Sequence, residues 1–302
     1  MPILLGVSLI VFGLVHMLPG NPIEMMLPAE APAEVIARVK ADFGFDDPLP
    51  TQYLKWLVQA LHGNLGTSVY TAQPIAPDLF NALGNTLPLA VLATIIGCGA
   101  GIALGLMAAF GRKRWPDKLC LTAATAGVSV PHYWFGMVLV IVFSVLLNWL
   151  PAQGKGAEGA FWSLDQLRYM ILPAITLSLI PMGTIARVVR ATALDVLSRE
   201  FVDALLAKGL RRGRIVLHVV KNAAPPVAAL LGLQIGYLLG GSILVETVFN
   251  WPGSGSFLSQ AIFRHDIPVL QATILILAAI FVALNLGADI LQALLDPRLR
   301  RR

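Results

Sequence analysis

Six long apolar stretches divide the chain, and none of them contains an aspartate, glutamate, lysine or arginine. They cover residues 1–23, 79–111, 119–154, 169–186, 222–245 and 267–288. A helix needs about 20 apolar residues to cross the hydrocarbon core of a bilayer. Each stretch therefore predicts one transmembrane helix, and we interpret the two longest as one helix each with a polar-interrupted end. The predicted spans are 2–18, 85–110, 119–149, 169–190, 226–248 and 269–293.

Basic residues alternate with these spans in a way that predicts the orientation of the chain. They form three clusters, at 112–118, 187–221 and 298–302. Two predicted spans separate each cluster from the next, and two more precede the first cluster. Because lysine and arginine accumulate on the cytoplasmic side of a membrane, this parity predicts that both termini are cytoplasmic.

Composition agrees with an all-α polytopic membrane protein. Only 13% of the residues are charged and 57% are apolar, whereas soluble domains carry about 25% charged residues. The basic residues do not share one polar face, so no nucleic-acid partner is predicted. Cys98 and Cys120 lie in or beside apolar runs and are interpreted as small buried hydrophobes, because no spacing of cysteine and histidine suggests a metal site.

A sizeable polar segment, 19–82, separates the first two spans and is predicted to lie outside the membrane. It contains an amphipathic stretch at 33–43 and an aromatic-bearing stretch at 52–61, which we expect to form short helices at the outer interface. The first span lacks a basic n-region and a small-residue cleavage site. We therefore interpret it as a retained anchor rather than a signal peptide.

The loop at 194–225 has the pattern of a helix, a glycine and a second helix at 214–222. Ser198 is predicted to cap the first helix, and Gly209 to end it at the C′ position, where glycine adopts the left-handed conformation cheaply. The proline pair at 225–226 is predicted to start the fifth span. The first helix has an apolar stripe, which we expect another subunit to bury. The alternative is that the loop is an ordinary solvated hairpin. The stripe consists of Leu194, Leu197, Phe201, Ala204 and Leu205.

This loop resembles the EAA loop of the permeases of ATP-binding-cassette (ABC) importers. The resemblance rests on Asp203-Ala204-Leu205-x-x-x-Gly209, followed by Asn222 and Pro226. Further motifs extend it over nearly the whole chain and favour the dipeptide/oligopeptide/nickel permease family. They are Leu18-Pro19-Gly20-Asn21-Pro22, Gly66-Thr67-Ser68, Asn85-Thr86-Leu87-Pro88, Ser129-Val130-Pro131 with Gly136, Leu172-Pro173-Ala174, Glu246-Thr247-Val248-Phe249-Asn250-Trp251-Pro252-Gly253 and Asp296-Pro297-Arg298.

The resemblance implies a "B"-type permease subunit of a bacterial inner-membrane importer, with the type I ABC importer fold. It implies a "C"-type permease partner, two ATP-binding subunits that bind ATP and magnesium, and a periplasmic solute-binding protein, with lipid around the spans. The chain has no Walker-type phosphate loop, so we expect no cofactor and no enzyme activity in it. The residues expected to couple the permease to the ATPase are Arg199, Glu200, Asp203, Ala204, Lys208, Gly209, Leu210 and Arg211.

Polar residues at membrane depth are costly and are candidates for the translocation path or its gate. The candidates are Ser129, His132, Gln234 and Glu246. Alternatives stay open for three of them: Ser129 satisfying backbone groups freed by Pro131, His132 in packing, and Glu246 pairing with Arg264 or with a partner chain. The glycines at 232, 236, 240 and 241 are interpreted as a helix seam with the partner permease or with neighbouring spans.

Two other classes of function compete with this interpretation. An ion-coupled secondary transporter would need ionisable residues clustered at mid-membrane, and here they lie near the span ends. A membrane scaffold or enzyme would need a recognisable site, and no nucleophile–base pair or metal set is visible. Within the importer reading the solute stays open between peptides, opines, glutathione and nickel. Peptides are the default, and nickel is disfavoured because the histidines lie in separate segments.

Overall fold

The computed structural model describes residues 2–17, 32, 34, 47–156 and 163–295. The predicted amphipathic stretch at 33–43, the motifs at 18–22 and 296–298, and the terminal basic cluster fall wholly or almost wholly outside these residues. Helices dominate the described part. They are α1 (Pro2–Met17), α2 (Leu49–Leu61), α3 (Ile75–Phe110), α4 (Trp115–Ser129), α5 (His132–Leu139), a π-helix (Val140–Leu146), α6 (Leu164–Leu197), α7 (Glu200–Ala207), α8 (Arg212–Val248), α9 (Ser254–Phe263) and α10 (Ile267–Leu295).

The chain divides into two compact units, of which the first comprises Met1–Thr86 and Pro252–Val282. Its core is built from one face of α3 together with residues of α9 and α10. The fully or largely buried members are Ile75, Leu79, Leu83, Ala261, Val269 and Ala272. Apolar side chains at i, i+4 and i+8 share one face of a helix, which is why the start of α3 is buried on one side only.

Helix α2 confirms the predicted helix at 52–61. Its aromatic side chains pack on α1, with the Phe12 ring centroid 5.5 Å from that of Tyr53 and 6.0 Å from that of Trp56. The hydroxyl groups of Tyr53 and Ser8 lie 2.8 Å apart. The aromatic residues of this stretch therefore dock α2 on the first apolar helix.

A buried carboxylate organises the turn before α3. Asp266 is 4% exposed and accepts hydrogen bonds from the Ser68 hydroxyl and from the backbone N–H groups of Val69 and Tyr70, the last two at 3.3 Å. The Arg264 guanidinium lies 4.4 Å from the centre of the Tyr70 ring, a cation–π contact. Because a buried charge is tolerated only when it is hydrogen-bonded, these bonds account for the serine of the Gly66-Thr67-Ser68 motif.

The Asn85-Thr86 motif has a similar structural role in the same unit. The Asn85 side-chain amide donates a hydrogen bond of 2.7 Å to the Pro252 carbonyl. The Thr86 hydroxyl accepts one of 2.8 Å from the Ser254 backbone N–H. These bonds tie α3 to the first turn of α9, so the motif fixes a helix contact rather than a solute.

The second unit comprises Leu87–Trp251 and Ala283–Arg302, and α6 packs against α4, α5 and α8 within it. Three glycines at i, i+4 and i+8 line the face of α3 that meets α6. A Cβ atom at Gly97, Gly101 or Gly105 would lie 3.0, 2.8 or 2.7 Å from a backbone carbonyl oxygen of α6. Small residues at this spacing let two helices approach closely in a membrane, so these positions require glycine. The sequence analysis placed a glycine seam on the fifth span and missed this one.

The third predicted span is not one helix. Helix α4 and the helical stretch from His132 to Leu146 meet at an angle of 102°, and the break falls at Val130 and Pro131. Proline lacks a backbone N–H and disfavours helical geometry in the residue before it, so the helix ends there. The expectation of a single helix over 119–149 is wrong for this reason.

Prolines 225 and 226 do not begin a new helix. Both lie inside α8, which begins more than ten residues earlier, at Arg212, and the second helical stretch predicted at 214–222 is part of the same helix. Two segments of this helix, 213–228 and 230–238, are inclined by 44°. Prolines bend a helix without ending it when neighbouring groups satisfy the freed carbonyls.

Within the described residues, three single helices are long and apolar enough to cross a membrane, namely Ile75–Phe110, Leu164–Leu197 and, within α10, Ile267–Ile290; each of the two bent helix pairs adds one more candidate. Helix α1 is apolar but only 16 residues long, or about 24 Å at 1.5 Å per residue. The helix that holds the second predicted span already begins at Ile75, and the helix that holds the fourth continues to Leu197, so both helices extend beyond the predicted spans.

Candidate functional site

The candidate coupling segment begins where α6 ends. Ser198 is the C-cap of α6, and its hydroxyl donates a hydrogen bond of 2.8 Å to the Asp195 carbonyl. Helix α7 then starts at Glu200 with Arg199 at its N-cap position and no side-chain cap. The predicted capping role of Ser198 is therefore wrong: this serine closes the preceding helix.

One face of α7 is covered by the chain itself. Val202 is 3% exposed and packs in a cluster with residues of α3, α6 and α8, and Phe201 lies partly buried against that cluster. Leu194 and Leu197 also pack there, from the last turn of α6. The predicted apolar stripe is thus mostly buried within the chain, because the turn between α6 and α7 breaks the i, i+4 spacing on which the prediction relied.

The rest of α7 is exposed and includes what we call the coupling surface. It presents small, charged and apolar side chains, and Leu206 has 55% of its surface exposed. Acidic groups in the first turn of a helix also interact favourably with its dipole. The coupling surface consists of Asp203, Ala204, Leu206, Ala207 and Lys208. Arg199, Glu200 and Arg211 are exposed beside it, whereas Leu210 is partly buried against the cluster beneath.

Helix α7 ends in a Schellman motif, as the glycine pattern predicts. Gly209 has a φ of +70°. Its N–H bonds to the Leu206 carbonyl at 2.9 Å, and the Leu210 N–H bonds to the Leu205 carbonyl at 3.2 Å. This pair of bonds is the signature of the motif and turns the chain sharply from α7 toward α8.

Replacing Gly209 with alanine is expected to loosen this turn. An L-residue in the left-handed region costs about 1–2 kcal/mol, so the last turn of α7 should fray while the buried Val202 holds the first. Hydrogen exchange of the amides at 205–210 should then be about tenfold faster or more. Exchange at 190–196 serves as the internal control, and unchanged exchange at 205–210 would contradict the assigned geometry.

An ion pair that the sequence analysis missed lies near the coupling segment. The Asp117 carboxylate at the start of α4 accepts hydrogen bonds from Arg190 Nε at 2.6 Å and from Arg190 Nη2 at 2.9 Å. It also accepts the Lys113 backbone N–H at 3.1 Å. Two parallel bonds from one guanidinium are a strong and directional contact. The pair joins α4 to α6 two turns before α7 begins, and the only signal in the sequence is one acidic residue inside a basic cluster.

The exposed pair of Asp195 and Arg199 is different. Its 2.8 Å contact spans one helical turn, and both side chains are about half exposed or more. Such pairs contribute little because solvent screens them. We therefore expect the Asp117–Arg190 pair, and not this one, to contribute to the stability of the unit.

Of the four candidates for the translocation path, two lie beside the bend between α4 and α5, and the other two lie on α8. Ser129 is the last residue of α4, and His132 is the first of α5, so both flank the 102° bend. Among the described residues, His132 Nε2 is buried without a hydrogen-bond partner. Gln234 is half-buried in the middle of α8, and Glu246 is fully buried near its end.

The predicted glycine seam on the fifth span is only partly testable in the described residues. A Cβ atom at Gly232 would lie 1.9 Å from the Ala288 Cβ, so Gly232 packs α8 closely against α10 of the same chain. Gly240 faces open space. The seam at Gly232 is thus with a neighbouring helix, which is one of the two alternatives that the spacing left open.

Comparison with known protein families connects this arrangement to transport. The family described as "Binding-protein-dependent transport system inner membrane component" matches residues 101–301, and its N-terminal companion matches residues 1–90. This chain belongs to that family of membrane permeases. The matches span both the exposed α7 and the outer segment.

Characterised relatives are similar over the full length of the chain. The glutathione transport system permease protein GsiC of Escherichia coli K12 is 40% identical over 300 residues, which is 99% of this chain and 95% of that protein. GsiC of Salmonella typhimurium strain LT2 is 39% identical over the same coverage. Both relatives are named as permeases of a transport system. The membership in an importer permease family that the motifs suggested is therefore confirmed.

The fold is shared with a solved importer. A chain of the MetNI methionine ABC transporter, in inward-facing conformations, superposes with a TM-score of 0.60 at 15% identity, over 72% of this chain and 96% of that one. The predicted fold class, an all-α polytopic permease of the type I importer architecture, is confirmed. The chain is a transport permease subunit of an ABC importer, and the alternative of an ion-coupled secondary transporter is not supported.

Proposed function

We propose that this chain forms half of the translocation path of an ATP-driven importer. The other half is a second, "C"-type permease, and two ATP-binding subunits supply the energy by binding ATP and magnesium. A solute-binding protein delivers the solute from the periplasm, and both termini of the chain lie in the cytoplasm. The basic clusters support this orientation, because they place α7 on the cytoplasmic side with the ATP-binding subunits.

The observation that carries the proposal is the coupling surface on α7. The helix is anchored through Val202 in the core of its unit and held at its end by the Gly209 turn, while Ala204 and Leu206 remain exposed. Exposed apolar side chains on a short, firmly held helix are suited to contact with a partner protein. A push on α7 passes directly into α6 and α8, the longest helices of that unit.

The solute is proposed to be a short peptide of the size of glutathione. Support comes from the GsiC relatives, which match 99% of this chain and are glutathione permeases. Nickel stays disfavoured on the sequence alone, because the histidines lie in separate segments.

A reconstituted complex tests this function. The chain, its co-encoded permease and ATP-binding subunits, and the binding protein would be placed in proteoliposomes, with ATP on the ATPase side. We expect the binding protein loaded with glutathione or a tripeptide to stimulate ATP hydrolysis and solute movement, and nickel ions to have no effect. Movement driven by an ion gradient in the absence of ATP would contradict the importer reading, whereas stimulation by an unrelated solute would contradict only the peptide assignment.

A further inference from the structure

A pocket of about 380 Å³ lies in the second unit, where the π-helix ends and α6 begins. This volume falls within the roughly 300–1,000 Å³ of small-molecule sites. Its walls come from the end of the π-helix, the turn at 148–152 and the first turn of α6. None of the coupling or path residues lines it. The pocket is therefore separate from the residues assigned to coupling and to the translocation path.

Opposite charges share one wall of the pocket. Asp165 and Arg168 are both exposed there, one helical turn apart on α6. Side chains at i and i+3 lie on the same face, about 5–6 Å apart at Cβ. Arg168 Nη2 donates a hydrogen bond of 3.1 Å to the Trp149 carbonyl, which fixes the guanidinium at the rim. A guanidinium carries five N–H donors, so most of them remain for a ligand.

The π-helix contributes a polar side chain to the lining of the pocket. Within the described chain, the Ser144 Oγ on the π-helix is buried and has no hydrogen-bond partner. Gly156, with a φ of +78°, lies close to two lining residues: a Cβ there would lie 2.9 Å from the Tyr169 ring and 3.2 Å from Asp165 Oδ2, so a side chain at this position would clash with them. A π-helix often marks a functional site, because its extra residue displaces side chains from regular packing.

An apolar surface runs away from the same pocket along the π-helix. Ile141, Val145 and Leu146 are 53%, 63% and 69% exposed. Trp149, at the end of this surface, is 61% exposed, and tryptophan is enriched where a span meets the headgroup region of the bilayer. A polar pocket bordered by an exposed apolar surface and a tryptophan matches the arrangement of a lipid headgroup and its acyl chains.

We propose that this pocket binds one phospholipid with a zwitterionic phosphoethanolamine headgroup. The phosphate accepts hydrogen bonds from Arg168, the primary ammonium donates to Asp165, and an acyl chain follows Ile141 and Val145. Asp165 disfavours a purely anionic lipid, because it would repel a second negative charge near Arg168. It also favours a primary ammonium over a quaternary one, because only the former donates hydrogen bonds to a carboxylate.

Native mass spectrometry of the delipidated complex tests the site, with phosphatidylethanolamine, phosphatidylcholine and phosphatidylglycerol of matched acyl chains added in turn. We expect the wild type to retain phosphatidylethanolamine preferentially. Arg168→Gln removes a charge-assisted hydrogen bond and should lower its affinity by about tenfold or more. Asp165→Asn should shift the preference toward phosphatidylglycerol, a change in selectivity that a general loss of folding would not produce.

Lys118→Gln is the matched control, because it removes one exposed charge at another span end, and its lipid profile should equal that of the wild type. Unchanged profiles for Arg168→Gln and Asp165→Asn would overturn the proposal. Soluble glycerophosphoethanolamine should bind far more weakly than the lipid, because it lacks the acyl chains. Equal binding would show a site for a free phosphate compound and would likewise overturn the assignment to a lipid.

Discussion

Ala204→Trp is expected to lower uptake about tenfold or more while leaving the permease folded and in the membrane. Ala204 lies exposed on the coupling surface, opposite the buried Val202, so the added bulk meets no side chain of this chain's own core. In the complex it would be forced into the contact with the ATP-binding subunit. Overpacking a closely fitted surface costs about 1–3 kcal/mol, which corresponds to a loss of coupled transport of about tenfold or more.

Two control variants separate docking from folding. Ala204→Ser changes little in volume and should transport normally, and Ala123→Trp places the same bulk on an exposed position of α4 outside the coupling surface. The measurements are the yield of assembled complex, the ATPase rate stimulated by loaded binding protein, and solute uptake. Normal stimulation and uptake in Ala204→Trp would refute the assignment of α7 as the coupling helix.

Breaking the Asp117–Arg190 pair is expected to destabilise the second unit. The two side chains are 10% and 25% exposed, so the pair is shielded from solvent, though not completely. Removing one partner of a buried pair costs about 3–5 kcal/mol because the other charge is left unpaired. With partial exposure we expect Arg190→Ala and Asp117→Ala each to lower the free energy of unfolding by about 2–3 kcal/mol.

The double variant distinguishes an ion pair from two independent contacts. If each charge is costly mainly when its partner is missing, Asp117→Ala with Arg190→Ala should cost less than the sum of the single changes by about 1–3 kcal/mol. Arg187→Ala, an exposed arginine on the same helix, is the control and should be near neutral. Denaturant unfolding in detergent gives all four values, and strictly additive effects would show that the contact has no energetic weight.

Features that depend on a few neighbouring residues, such as a helix end or a short amphipathic helix, could be predicted from the sequence. The left-handed Gly209 followed from its place after a helical pattern, and α2 followed from its apolar and aromatic spacing. The extent of α7 was predicted less well, because Ser198 stands where two helices meet and can cap either of them. Only the turn of the chain between α6 and α7 decides that its side chain bonds back to Asp195.

Prolines were the main source of error in the spans. Pro131 ends a helix, whereas Pro225 and Pro226 lie within one. The residue type is the same, and the outcome depends on whether neighbouring groups satisfy the freed carbonyls. Hydropathy carries no information on that point, so it located the apolar stretches but not the 102° bend in the third of them.

Contacts between residues far apart in the sequence also could not be predicted from it. Asp117 and Arg190 are separated by two helices, and Ser68 and Asp266 by 198 residues. Each residue alone has the pattern of an ordinary charge at a span end or of a short motif in a loop. The glycines at 97, 101 and 105 do have the spacing of a helix seam, but that spacing does not say which helix they contact.

The most direct test of the account is the composition of the complex purified from native membrane in mild detergent. We predict that this chain co-purifies with a second permease of the same family and with two copies of ATP-binding subunits, and that Ala204→Trp releases only the latter. A chain that purifies alone as a stable protein, and that moves solute in ATP-free vesicles along an ion gradient, would contradict the account.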